Sequence, residues 1–131
     1  MPDNVKAALP IALLVEDEAL VAIIAEESLR AIGFEPILAI SAAAAREAVA
    51  SGPAPVIALV DMGLPDGRGD ELIPHLRAKC PDLGVIVASG YDEADLRATF
   101  KGDRSVVIVT KPYTERDLAR AIQSLGITVA S

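Results

Sequence analysis

Short, wholly apolar runs alternate along this chain with longer segments of helical character. Ile11–Val15, Val56–Val60, Val85–Ala88 and Val106–Val109 are apolar at nearly every position, without the in–out alternation of a half-exposed strand. That pattern is expected of strands covered on both faces, as in a parallel sheet between helical layers. Phe34–Ala39 is a further strand. Pro36 interrupts it, which predicts an edge or irregular position. Between the strands the pattern predicts helices over Glu18–Ala31, Ser41–Ala50, about Asp70–Lys79, Asp92–Phe100, and from Thr114 to near Gly126. In the first, Leu20, Val21 and Ile24 can share one face, and Ala25 and Leu29 lie along a neighbouring one. Gly33 stops that helix as a C′ residue would, and Thr114 through Asp117 reads as an N-terminal cap. Pro74 sits inside the third helical pattern, so that helix is expected to start late or to kink near its first turn. A glycine-rich loop, Met62–Gly69, joins the third strand to this helix.

Five strands and five helices in strict alternation define an α/β doubly wound fold with a parallel sheet. The expected layout is an N-terminal extension over residues 1–10, one domain over 11–127, and no output domain.

Composition is consistent with this. Hydrophobic residues make up 52% of the 131, aromatics only 3%, and mean hydropathy is +0.41. Such a chain supplies an aliphatic core, which excludes wholesale disorder. The net charge of −7 and the absence of a Lys/Arg cluster argue against binding a nucleic-acid backbone or an anionic membrane. Cys80 is the only cysteine, so an intramolecular disulfide or a thiolate metal cage is excluded. The N-terminus does not read as a signal peptide and no apolar stretch reaches membrane-spanning length, which suits a cytoplasmic protein.

The chemistry collects where the apolar runs end. The first runs into Glu16-Asp17, the third strand into Asp61, the fourth into Ser89, and the fifth into Thr110-Lys111-Pro112. In an open parallel sheet the strand C-termini share one edge, where ligands bind. Three carboxylates, a hydroxyl and an ammonium should therefore converge. Crowded carboxylates repel one another, and a hard divalent cation such as Mg²⁺ relieves that. A carboxylate can also attack phosphorus to form an acyl phosphate. Taken singly, each residue has an ordinary reading. Asp17 could cap a helix, Asp61 could begin a turn with Pro65 and Gly67, Ser89 before Gly90 could be a turn residue, and Lys111 a solvated charge. The joint placement carries the functional reading.

With Leu14-Val15-Glu16-Asp17-Glu18, Val60-Asp61-Met62-Gly63-Leu64-Pro65, Gly69, Ser89 and Lys111-Pro112 in view, the chain resembles the receiver domain of response regulators over essentially its whole length. The resemblance implies a flavodoxin-like sheet of order 2-1-3-4-5 and a role in bacterial two-component signalling. It implies Asp61 as phosphoacceptor, with Mg²⁺ held by Asp17, Asp61 and the Gly63 carbonyl, and Glu16 acting on the metal largely through water. Ser89 would be the switch hydroxyl and Lys111 the partner of the phosphoryl group, with a cis Lys111–Pro112 bond. The partners implied are a sensor histidine kinase or histidine phosphotransfer protein as donor, and a downstream protein target bound near the fourth helix, fifth strand and fifth helix. Catalysis would be limited to self-phosphorylation and dephosphorylation.

Two departures shape the expectation. Three residues before Lys111, where many receivers carry an aromatic switch, stands Ile108. Val87-Ala88-Ser89-Gly90-Tyr91 is similar to the FATGUY subgroup, which lacks that aromatic. Gly90 and Tyr91 are then the expected modulators: the loop after the fourth strand orders on phosphorylation, and Tyr91 either shields the acyl phosphate or simply packs.

Other readings are weaker. A haloacid-dehalogenase-type phosphatase needs a second Asp two residues past the nucleophile, where Gly63 stands. A flavodoxin-like cofactor carrier would find its phosphate repelled by Glu16-Asp17-Glu18. A phosphate sink for a kinase and an unphosphorylated interaction module remain as alternatives. Gly67-Arg68-Gly69 lacks the third glycine of a dinucleotide loop, Arg68-Gly69-Asp70 matches an adhesion tripeptide by chance, and His75 reads as a solvated helix residue.

Overall fold

The computed structural model describes residues 9–90 and 98–127. Five strands form one parallel sheet: β1 (Ile11–Val15), β2 (Glu35–Ala39), β3 (Ile57–Asp61), β6 (Gly84–Ser89) and β7 (Val106–Thr110). Two-residue strands β4 (Gly63–Leu64) and β5 (Gly67–Arg68) make a separate antiparallel hairpin inside the glycine-rich loop. The large sheet has the order β2-β1-β3-β6-β7, the 2-1-3-4-5 expected of five successive βα units. Pro36 falls on the edge strand β2, where a missing N–H is tolerated.

Alternate residues of each strand enter opposite core layers. Leu13, Val15, Ala58, Val60, Val85 and Val87 pack with α2 (Ala42–Ser51) and α3 (Gly69–Lys79). Ala12, Leu14, Ile57, Leu59, Ile86 and Ala88 pack with α1 (Ala19–Ile32) and the C-terminal helix (Glu115–Ser124). Both faces are thereby covered, which is why β1, β3 and β6 lack polar alternation.

Local signals operate where expected. Gly33 adopts φ 123°, and Gly33 N–H and Phe34 N–H bond back to the carbonyls of Arg30 and Leu29. This is a Schellman closure, with buried Phe34 and Leu29 in the same core layer. Thr114 and Asp117 form a reciprocal capping box: Thr114 Oγ1 accepts from Asp117 N–H at 3.1 Å, and Asp117 Oδ2 accepts from Thr114 N–H at 2.9 Å.

Three details sharpen these expectations. Of the late start or kink expected at Pro74, the late start is not seen: the third helix spans Gly69–Lys79 with Pro74 inside it. Leu72, Ile73 and Leu76 are buried on either side of the exposed proline, and this packing offsets the lost hydrogen bond. On α1 the stripe of Ala22, Ala25, Ser28 and Leu29 faces the sheet, whereas Leu20, Ile23 and Ile24 are exposed. The loop Met62–Gly69 is not irregular throughout but contains the β4–β5 hairpin. The expected helix over Asp92–Phe100, like Tyr91, lies largely outside the described residues; residues 98 and 99 are helical.

Candidate functional site

The parallel register carries the candidate residues to one edge. Val15 pairs with Val60, Asp61 with Ala88, and Ser89 with Thr110. Three backbone bonds extend the ladder past the strand ends: Glu16 N–H to Ala39 O at 3.0 Å, Met62 N–H to Ala88 O at 3.1 Å, and Lys111 N–H to Ser89 O at 2.7 Å. Glu16, Met62 and Lys111 are thus bonded into the sheet one residue past the ends of their strands. The Lys111–Pro112 peptide is cis.

Carboxylate oxygens of Glu16, Asp17 and Asp61 lie within 4.8 Å of one another. Asp61 is 5% exposed and Glu16 only 2%, while Asp17 is open to solvent. Buried carboxylates need compensation, and Lys111 supplies it. Its Nζ is 2.7 Å from Asp61 Oδ1, 3.8 Å from Glu16 Oε1 and 4.0 Å from Glu18 Oε1. Glu16 Oε2 also accepts from Glu18 N–H at 3.1 Å.

Burial pushes the Glu16 carboxyl above its ordinary value. The Glu18 N–H and Lys111 oppose the rise, and the charges of Asp61 and Asp17 add to it. Burial favours the neutral form of Lys111, yet the bond to Asp61 and the charges of Asp61, Glu16 and Glu18 together raise its pKa. Tyr113 is raised as well, first by burial and then by the nearby Glu16 and Asp61. A cluster of hard oxygen donors, one of them forced upward by burial and like charge, fits a hard divalent cation.

Around this cluster, Ser89 lies one residue beyond Asp61's partner on the adjacent strand and is 7% exposed. Gly63 is exposed on the hairpin just past Asp61, and Gly90 has open space where a Cβ would stand. Gly69 is needed for a different reason: a Cβ there would overlap the Asp61 carbonyl and come within 2.8 Å of Val60 Cγ1. Ile108 is partly buried against the α2–α3 core layer.

Two residues near the site were missed by sequence reasoning. Tyr113 packs beside the acidic cluster in the α1 layer, and Lys-Pro-Tyr could have pointed to it. Asp66, at the hairpin tip, accepts from Ala42 N–H at 2.8 Å and Ala43 N–H at 3.0 Å. Those two bonds hold its carboxyl below the ordinary value. Its partners lie 24 and 23 residues upstream, beyond the reach of any local pattern.

Comparison with known proteins agrees with this architecture. The family model for the response regulator receiver domain matches residues 12–123. The DNA-binding transcriptional activator DevR/DosR of Mycobacterium tuberculosis is 37% identical over 101 residues, covering 72% of this chain and 46% of that protein. The photosynthetic apparatus regulatory protein RegA of Rhodovulum sulfidophilum is 33% identical over 94 residues, covering 72% of this chain and 51% of that one. The chain therefore spans about half the length of these curated relatives. A CheY-like response regulator receiver domain protein from Methanospirillum hungatei superposes with a TM-score of 0.77 over 91% of this chain and 95% of the other, at 24% identity. Sequence match and fold converge, and the chain belongs to the response regulator receiver domain family of two-component signalling.

Proposed function

We propose that this receiver accepts a phosphoryl group on Asp61 from a phosphohistidine and passes the signal on through altered protein–protein binding. The observation that carries it is the buried Asp61 carboxylate, 2.7 Å from Lys111 and clustered with Glu16 and Asp17 at the sheet's C-terminal edge. Asp61 Oδ attacks phosphorus, the P–N bond to the donor imidazole breaks with its electron pair going to nitrogen, and an acyl phosphate forms. Asp17, Asp61 and the Gly63 carbonyl would hold Mg²⁺, with Glu16 acting through water. When bound, the cation neutralises charge on the transferring phosphoryl oxygens. Lys111 moves its charge from Asp61 to a phosphoryl oxygen, and Ser89 donates its hydroxyl to another.

The same site suggests where the donor docks. Leu20 is 77% exposed and Ile24 59%, on a helix that begins three residues past Glu16. Val21 and Ile24 also line a groove with Pro112 and Tyr113. An apolar surface beside a phosphoacceptor suits a helical kinase or phosphotransfer partner. The switch then lies in the Ser89-Gly90 loop, since Ile108 cannot swing a polar aromatic tip.

Incubation with acetyl phosphate and Mg²⁺, followed by intact-mass measurement, tests the assignment. One phosphoryl adduct is expected, lost without Mg²⁺ and lost in Asp61→Asn. An adduct that survives Asp61→Asn, or none on the wild type, overturns it.

A further inference from the structure

The hairpin that carries Gly63 has little to hold it in place. Each of its strands is two residues long, and they pair only with one another. A hairpin this short is not stable alone. Its pose must come from anchors outside it, and the described residues show four. At the end of β5, the Arg68 guanidinium makes a two-point ion pair with Asp70 of α3, both bonds at 3.0 Å. At the base, Gly69 N–H bonds to Met62 O at 3.2 Å. On one side, Leu64 is buried in the core with α3. At the tip, Asp66 places one carboxylate oxygen on each of two successive N–H groups of α2.

The tip anchor is the one that hydrogen-bonds the hairpin to α2. Residues at the start of a helix leave N–H groups without intrahelical partners, and the positive end of the helix dipole favours a carboxylate there. Asp66 takes the donors of Ala42 and Ala43, while Ser41 Oγ takes that of Ala44 at 3.0 Å. The helix thus has two caps of different origin. Ser41 is local to the helix start; Asp66 comes from the phosphoacceptor loop itself. Two oxygens on two adjacent donors fix orientation as well as distance.

We propose that Asp66 is a positioning residue for the phosphoacceptor loop, holding the β4–β5 hairpin on the N-terminus of α2 so that Gly63, two residues past Asp61, keeps its place for metal binding. The metal-binding part of this rests on the site reading above; the hold on the hairpin does not. The two caps allow the roles to be separated. Losing Ser41 weakens α2 alone, whereas losing Asp66 weakens α2 and frees the hairpin.

The test compares Asp66→Ala, Asp66→Asn and Ser41→Ala with the wild type in two measurements. The first is hydrogen exchange by mass spectrometry on metal-free protein. Asp66→Ala is expected to speed exchange over residues 62–69 by about tenfold, and Ser41→Ala to affect only the first turn of α2. The second is calorimetric titration with MgCl₂. Asp66→Ala is expected to weaken binding roughly tenfold. Asp66→Asn keeps one acceptor oxygen and should fall between it and the wild type, serving also if the alanine variant does not fold. Ser41→Ala should bind as the wild type does. Labelling by acetyl phosphate in Asp66→Ala should recover at saturating Mg²⁺. Wild-type exchange over 62–69 in the Asp66 variants, or the same hairpin exchange and affinity loss in Ser41→Ala, overturns the proposal. If the wild type itself takes up no Mg²⁺, the metal-site reading fails, and the exchange data alone decide whether Asp66 holds the hairpin.

Discussion

Lys111 Nζ sits 2.7 Å from Asp61 Oδ1, closer than to either glutamate it also faces. The ammonium thus occupies the carboxylate that the proposed chemistry needs as a nucleophile. It offsets the crowded negative charge of the acidic site, and under the proposed reading it would compete with a cation for the same carboxylate.

Lys111→Met should therefore separate two effects. Two unit charges at about 4 Å interact by ~1 kcal/mol in water and ~4 kcal/mol at an effective dielectric near 20. Removing this cation should strengthen Mg²⁺ binding roughly tenfold by calorimetry. Labelling by acetyl phosphate should fall by at least about tenfold, because the phosphoryl group loses a fixed positive partner. Unchanged or weaker Mg²⁺ binding would show that Lys111 does not compete with the metal.

Gly69→Ala tests the close approach of α3 to the end of β3. The added Cβ meets backbone, the Asp61 carbonyl, and cannot be accommodated by a rotamer change. Urea unfolding should show a loss of about 3 kcal/mol, at the upper end of ordinary overpacking. Gly63→Ala, with nothing within 4 Å of its Cβ, should lose less than about 0.5 kcal/mol. Equal losses at the two positions would contradict the packing described.

The exposed face of α1 gives a third contrast. Ile24→Glu alters a side chain with 59% of its surface in water, so thermal stability and acetyl phosphate labelling should match the wild type. Phosphotransfer from a histidine kinase that labels the wild type should slow by roughly tenfold or more. An unaffected transfer rate would remove α1 from the donor interface.

Arg77 and Asp103 link α3 to the segment before β7 through two hydrogen bonds, at 2.8 and 3.3 Å. The Arg77 bond, aided by Ser105 N–H, holds the Asp103 carboxyl below its ordinary value of 3.8. A folded pKa below the unfolded one means stability gained above the unfolded value and lost as pH falls through the folded one. The pair is partly exposed, so its worth is at most about 1 kcal/mol. Arg77→Met should be less stable than the wild type at neutral pH, and urea midpoints should show the gap closing well below pH 3.8. A gap independent of pH would assign the loss to packing instead.

Much of this architecture was legible residue by residue. The continuous apolar runs at Ile11–Val15 and Val56–Val60 announced strands covered on both faces; both are buried almost throughout except at their first residues, Val56 standing outside β3 and exposed. Gly33 and the Thr114–Asp117 cap act locally, so their outcome followed from a handful of neighbours. The polar residues ending four strands were legible as a group because parallel strands bring their C-termini to one edge. Pro74 did not delay the start of its helix, because burial of Leu72, Ile73 and Leu76 supports the turns around it.

By itself, the sequence determined the order of the five sheet strands and of the helices among the described residues, and the edge at which the chemistry gathers. Those depend on periodicity, caps and glycine conformation, which act over a few residues. Only the tertiary structure decided which stripe of α1 is buried, which carboxylate Lys111 meets most closely, and where Asp66 finds its partners. Each of those rests on packing between segments far apart in the chain: the small Ala22–Ala25–Leu29 stripe fits against the sheet and leaves Leu20 and Ile24 to water. Asp66 bonds a helix that ends before β3 begins, a contact created by layer packing and invisible to any local pattern.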